Sequence, residues 1–339
     1  MPRRSSILLA LAAVSAFIAG CAPAASGPSA PERTSSTADS SAPASRGFDL
    51  VPDGYRQPAA MPGTLEHVDY ATTHAPGATS PTDKRALVYL PPAYDPDDES
   101  VAYDVFYLMH GGGGSEHSWM GRPDRPTALP SIFDHMIADG LIEPLIVVAP
   151  TYDTGYSTGM EAFAGNVAAF TDELLQDLIP AIDARYRTRA ASDAADARAH
   201  RAFGGFSMGG VTTWHMLEHA LGTFEHFLPM SGDSWNQGPI GGLEHADATA
   251  AQLAEAAVAS GYGPDEYDVF AATGSGDFAE PNMTAMLEAM RARTDAFVET
   301  DGDFIDGNLI YYTVDGHLHD YPWGYDYIYA ALPLLFPGR

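Results

Sequence analysis

Short apolar runs rich in β-branched and aromatic residues recur along the chain: Ala86–Leu90, Tyr103–Met109, Leu145–Ala149, Arg201–Gly205, Phe227–Met230, Tyr267–Ala272 and Leu309–Val314. Several are apolar on both faces, as the central strands of a parallel sheet must be. The segments between them repeat with helical spacing. Val167, Phe170, Leu174, Leu178 and Ile182 share one face, and Pro180 should kink or break that helix. Further helices are predicted over Ser131–Ala138, Met208–Ala220, Met283–Glu299 and Tyr325–Leu335. Strands alternating with helices predict an α/β fold, a mainly parallel central sheet with helices on both faces. There is no internal repeat. Two stretches read as insertions: Ala190–His200, and Ser234–Asp265 with a short helix of its own.

The first 46 residues follow a different pattern. Arg3 and Arg4 precede Ile7–Ala19, an unbroken apolar and small-residue stretch that is short for a bilayer span and suited to a signal peptide. It ends at Ile18-Ala19-Gly20-Cys21, similar to the lipobox of bacterial lipoprotein signals. Residues 1–20 are therefore read as a signal peptide and Cys21 as a site of lipidation, against an ordinary signal with an incidental cysteine. Residues 22–46 hold seven Ala, seven Ser and four Pro. Such a stretch buries too little apolar surface to offset its ordering entropy, and 21–47 reads as the acylated Cys21 and a disordered tether ahead of a single domain over 48–339. Localisation at the outer side of a cell membrane, held by lipid alone, follows as an expectation.

Composition narrows the functional classes. Among 339 residues, 45 are acidic and 17 basic, a formal net charge of −28, and Lys84 is the single lysine. Nucleic-acid binding and polybasic membrane docking both need clustered Lys and Arg, and no such cluster exists. With one cysteine there is no intrachain disulfide and no cysteine-rich zinc site. Neither cofactor nor metal is expected.

The chemistry centres on Gly205-Phe206-Ser207-Met208-Gly209, a G-x-S-x-G motif between a strand and a helix. A serine projected from so tight a turn needs neighbours without side chains two positions to either side. The helix that starts there aims unpaired N–H groups at a developing negative charge. Ser207 is the candidate nucleophile. Its hydroxyl needs a histidine to take the proton and an acid to orient that imidazole. His317 and His319 follow the Leu309–Val314 strand. Asp277 follows Tyr267–Ala272 in a Gly-rich exit loop, and Asp233 follows Phe227–Met230, where a turn-capping role competes with catalysis. His317 and His319 also form an H-x-H pair that lacks further ligands at metal spacing. His110-Gly-Gly-Gly-Gly114 after the Tyr103–Met109 strand matches an oxyanion loop, and no P-loop lysine follows it. The N–H groups of Met208 and Gly112 are the candidate oxyanion donors.

From about Ala86 on, the chain resembles the esterase D-like α/β-hydrolases, in particular the feruloyl and acetyl xylan esterases of carbohydrate esterase family 1. The similar stretches are Tyr107–Trp119, Pro144–Pro150, Phe170–Pro180, Arg201–Gly210 and the segment Leu318-His-Asp-Tyr321 with Trp323. The resemblance implies an α/β-hydrolase fold and selects His319 over His317 as base and Asp277 as acid. It implies hydrolysis of feruloyl or acetyl esters on xylan-type polysaccharide, or of small esters, through an acyl-enzyme. An envelope acyltransferase shares this chemistry up to the acyl-enzyme, and a surface binding lipoprotein that lost catalysis shares the fold. Family members often carry Gly where Leu318 stands. Both insertions are expected to border the cleft. Trp119, Tyr152, Tyr321, Trp323 and Trp235 are candidates to stack on a sugar or an aromatic acyl group. Oligomeric state is not written in the sequence.

Overall fold

The doubly apolar runs fold as strands of one sheet in a computed structural model that describes residues 48–74, 79–152 and 160–338. Among the described residues this sheet has eight strands: β1 (Thr64–Thr72), β2 (Thr82–Leu90), β3 (Asp104–Met109), β4 (Leu145–Ala149), β5 (Arg201–Phe206), β6 (His226–Met230), β7 (Asp268–Gly274) and β8 (Leu309–Val314). They lie in the order β1-β2-β4-β3-β5-β6-β7-β8. Both pairings of β2 are antiparallel, and β4 through β8 run parallel. Alternate side chains of each central strand enter separate cores. Leu145, Val147 and Ala149 pack with Phe106 and Leu108, whereas Ile146 and Val148 pack with Val105 and Tyr107. Each fully buried side chain of this kind contributes about 1.5–3 kcal/mol.

Helices α1 (Leu129–Ala138) and α7 (Tyr321–Leu335) supply one core. The other is covered by α2 (Met160–Glu173), α3 (Ile179–Arg185), α4 (Met208–His219), α5 (Ala246–Ser260) and α6 (Glu280–Met290). Pro180 produces the interruption expected of it. The helix passes through a π-turn at Leu174–Leu178 and restarts at Ile179 with Pro180 in its first turn, where the missing N–H has no partner to lose.

Three elements depart from the sequence reading. Strand β1 was not foreseen: it is an edge strand whose apolar residues alternate with Glu66, His67 and Asp69. The helix expected over 283–299 stops at Met290, because the chain turns there to bury Ala296 and Phe297 and to pair Glu299 with Leu309. The short helix expected within 234–265 runs for 15 residues, its alanine-rich sequence carrying little amphipathic signal, and ends at Gly261 with φ of 86°. The signal stretch, Cys21 and the tether lie outside the described residues.

The two insertions occupy different ends of the sheet. Ser234–Asp265 leaves the C-terminal end of β6, beside Ser207. Ala190–His200 enters the N-terminal end of β5, a strand's length from Ser207, so it does not border the cleft as expected. It is fastened there by Arg198 to Glu225 and by His200 to Asp104, which also pairs with Arg189 just before the insertion.

Candidate active site

Strand order reverses beside β3, which lies between β4 and β5, and such a switch point leaves a crevice at the carboxyl ends of the strands. Met109 and Gly205 are register partners there, so the His110–Gly114 loop and Ser207 leave the sheet side by side. Ser207 has φ of 58° and ψ of −118°, a strained conformation for a residue with a side chain. Its N–H is held by the Met230 carbonyl at 2.8 Å, and its carbonyl accepts from Val211 N–H at 3.0 Å. A Cβ on Gly205 would lie 2.5 Å from the Gly209 backbone, and one on Gly209 would lie 2.6 Å from the Met109 carbonyl. The motif glycines are therefore dictated by the closeness of strand, turn and helix.

The structure brings Ser207, His319 and Asp277 into one line. His319 Nε2 is 2.8 Å from Ser207 Oγ, and its Nδ1 is 2.7 Å from Asp277 Oδ1. A carboxylate only accepts, so Nδ1–H donates to Asp277 and Nε2 is left to accept the serine proton. Asp277 is buried, and the Ala279 N–H also donates to its Oδ1 at 2.8 Å. The His319 ring lies between Phe206 and Phe278, with centroids at 4.6 and 4.0 Å.

His317 turns the other way. Its Nε2 is 3.0 Å from Asp326 Oδ2, with both side chains buried. Residues two apart in this loop face opposite sides, so one histidine enters the body while the other meets Ser207. Asp233 is tied to a turn: its carboxylate accepts from Gly242 N–H at 2.8 Å and from Trp235 Nε1 at 3.3 Å. Burial pushes its carboxyl above the ordinary carboxylate range.

The N–H of Met208 opens α4 at the serine. Gly112 is exposed, and among the described residues no acceptor takes its N–H. The neighbouring Gly111 N–H is already used, donating to Tyr321 Oη at 2.8 Å. His110 braces the same loop. Its Nδ1–H donates to the Gly111 carbonyl at 2.7 Å, and its Nε2 accepts from Thr151 at 2.9 Å. Burial drives this imidazole down to about 4, so it stays neutral. Lys84 reaches the Thr151 carbonyl and forms a buried pair with Glu173, extending the brace to β2.

The aromatic candidates separate. Trp119 is fully buried, its Nε1 donating to the Met109 carbonyl at 2.9 Å and its ring seated on Gly324, where a Cβ would lie 2.8 Å from it. It cannot stack on a substrate, and the expectation for it is corrected. The same holds for Tyr152, which is buried behind the turn with its hydroxyl 2.6 Å from Thr212 Oγ1. Trp323 lies against His317 at 4.3 Å. Trp235 is half-buried and lines a cavity of about 270 Å³ with Val167, Val211 and His215. The sequence reading missed Phe278, 74% exposed and with its ring against His319 at 4.0 Å. Nothing in the pattern of the chain marks Phe278 apart from its place after Asp277.

The chain is similar to known proteins over most of its length. The Esterase family model, described as "Putative esterase", matches residues 78–325. The chain is 38% identical over 292 residues to endo-1,4-beta-xylanase Y of Acetivibrio thermocellus, a match covering 84% of this chain and 24% of that protein. It is 37% identical over 135 residues to an endo-1,4-beta-xylanase/feruloyl esterase of Xylanibacter ruminicola, covering 38% of this chain and 16% of that protein. The chain thus spans about a quarter or less of the length of these curated relatives. Among solved structures, it is similar to a serine-to-alanine variant of the feruloyl esterase module from Clostridium thermocellum complexed with sinapinate. The TM-score is 0.71 at 35% identity, covering 86% of this chain and 94% of that one. A ferulic acid esterase from Anaeromyces mucronatus shares the fold, with a TM-score of 0.62 at 18% identity over 85% of this chain and 97% of that one.

Proposed function

The chain belongs to the Esterase family of α/β-hydrolases, and from that premise we propose that it is a serine carboxylesterase that cleaves feruloyl esters of xylan-type polysaccharide. The observation that carries the reading is the Ser207–His319–Asp277 line at 2.8 and 2.7 Å, set at the switch point of the sheet. In the proposed mechanism Ser207 Oγ attacks the ester carbonyl as His319 Nε2 takes its proton. Asp277 keeps the proton on Nδ1 and stabilises the imidazolium. The N–H groups of Met208 and Gly112 receive the oxyanion. His319 then protonates the departing sugar alcohol, and a water repeats the cycle on the acyl-enzyme. The exposed Phe278 ring offers the aromatic acyl group a face beside His319.

The test is a comparison of methyl ferulate, acetylated xylan and 4-nitrophenyl acetate as substrates of the purified chain. Preference for methyl ferulate supports the reading. Preference for acetylated xylan, or acyl transfer to an added sugar outrunning release of the acid, moves the chain to another subclass.

The enzyme is further proposed to be exported and held at the membrane by acylation of Cys21, the single cysteine, at the end of Ile18-Ala-Gly-Cys21. Two acyl chains suffice for a stable anchor. Loss of Arg3 and Arg4 with the signal leaves a charge of −30, which opposes docking on an anionic surface. Cys21→Ser should release the protein from the membrane fraction. Unchanged membrane retention of that variant would refute the anchor.

A further inference from the structure

Beyond the oxyanion loop lies a second cluster of reactive side chains, on elements that take no part in the Ser207 line. His67 sits on the edge strand β1. Glu116 and His117 sit four and five residues past Gly112. The Nε2 atoms of His67 and His117 are 2.9 Å apart, and Glu116 Oε1 lies 3.3 Å from His117 Nδ1. One ligand atom from each of the three residues lies within 4.8 Å of the others, and all three side chains are half-buried.

Two imidazole nitrogens bound tetrahedrally to one zinc-sized ion, at about 2.0–2.1 Å each, stand about 3.3 Å apart. The observed pair therefore needs to open by only a few tenths of an ångström. Between two neutral imidazoles at 2.9 Å a single proton lies between two nitrogen lone pairs, and a divalent ion can replace that proton. Arg85 is itself paired with Asp69 at 2.6 Å, which reduces the positive field an incoming cation meets. Two imidazoles and a carboxylate are the donor set of zinc-class ions, whereas magnesium and calcium take oxygen shells.

We propose that His67, Glu116 and His117 form a binding site for a zinc-class divalent cation that fastens the loop bearing Gly112 to the edge strand of the sheet. The site needs two segments 50 positions apart in the chain, so no local spacing announces it. It stands independently of the esterase reading, since it rests on ligand geometry and its readout is binding.

The experiment is calorimetric titration of zinc chloride into the untagged, chelator-stripped full chain at about pH 7.5 and about pH 5.5. His67→Gln, Glu116→Gln and Cys21→Ser are titrated alongside. His67→Gln keeps a hydrogen-bonding amide opposite His117, so the fold is not put at risk, and Glu116→Gln is isosteric. One ion per chain is expected, with affinity reduced more than about tenfold by either ligand substitution and unaffected by Cys21→Ser. Affinity should also fall at the lower pH, because protons compete with the ion for nitrogen ligands. Zinc should slow amide exchange over residues 111–117 in the wild type and not in His67→Gln. Absence of binding, binding that survives both ligand substitutions, or binding lost with Cys21→Ser would overturn the site. Exchange over 111–117 indifferent to zinc would overturn its role in fastening the loop.

Discussion

The Gly111 amide donates to the Tyr321 hydroxyl at 2.8 Å across 210 positions of chain, tying the oxyanion loop to the helix that begins two residues after His319. One hydrogen bond thus couples the placement of the donors to the placement of the base. Tyr321→Phe leaves the buried Gly111 N–H without a partner, at a cost of about 1–3 kcal/mol. We expect kcat/KM for methyl ferulate to fall about tenfold, mainly through kcat, with the melting temperature lowered by a few degrees. Wild-type kcat in Tyr321→Phe would show that the loop is positioned by other contacts.

The two acids near the site should respond oppositely to amidation. Asp277→Asn removes the acceptor that fixes the His319 tautomer, and kcat should fall by about 10⁴. Asp233→Asn keeps an oxygen for the Gly242 N–H, and activity should stay within about threefold of wild type. Asp233 has its carboxyl raised by burial, so its ionisation opposes folding as pH rises above the ordinary carboxylate range. Asp233→Asn should therefore melt at the same temperature as wild type or higher at neutral pH, with the difference shrinking in acid. Kinetics and melting curves of the two variants decide the roles.

His110 gives the fold a signature in acid. Its folded value of about 4 lies below the ordinary imidazole value of 6.5. The unfolded chain therefore binds the proton first, and stability is lost as pH falls from about 6.5 toward 4. The contribution is on the order of 3 kcal/mol, since a tenfold change in proton affinity is worth about 1.4 kcal/mol. His215 is lowered to about 4 as well and has the same sign, so a residual slope should remain in a variant. Denaturant midpoints of wild type and His110→Gln between pH 4 and 7 measure this, and the variant should show the shallower loss. Equal slopes would show that His110 carries none of it.

Phe278 covers one face of His319 while its own outer face is open to solvent. Phe278→Ala should raise KM for methyl ferulate about three- to tenfold, in line with an aromatic contact of about 0.5–1.5 kcal/mol. Hydrolysis of 4-nitrophenyl acetate should change less than twofold. Equal effects on both substrates would mean that Phe278 positions His319 rather than the acyl group.

Much of the fold was legible because central parallel strands leave a plain trace. Leu145–Ala149 is buried on both faces and reads as an unbroken apolar run. The edge strand Thr64–Thr72 left none, since one face is half-solvated and its apolar residues alternate with Glu66 and Asp69. At the site, the segments where backbone meets backbone could be read directly. Gly205 and Gly209 are imposed by contacts that any Cβ would violate, and Gly111 of the oxyanion loop lies close against Ser207, where a Cβ would stand 3.3 Å from the serine Cβ. Side chains placed by tertiary packing could not be read. Trp119 has the composition of a stacking platform, and only the space left by Gly324 shows that its ring belongs to the core. Phe278 has the composition of a core residue and is exposed because its loop runs over the strand ends. His67 and His117 gain meaning only when an edge strand and a loop are brought together.

The esterase reading stands or falls with Ser207 as nucleophile, and kcat/KM for methyl ferulate in purified Ser207→Ala beside the wild type measures that role without intermediaries. The substitution removes only the oxygen that attacks the carbonyl. A loss of about 10⁵–10⁶ with an unchanged melting temperature is expected, the scale on which a nucleophile is missed in comparable triads. Hydrolysis by Ser207→Ala within tenfold of the wild type would contradict it.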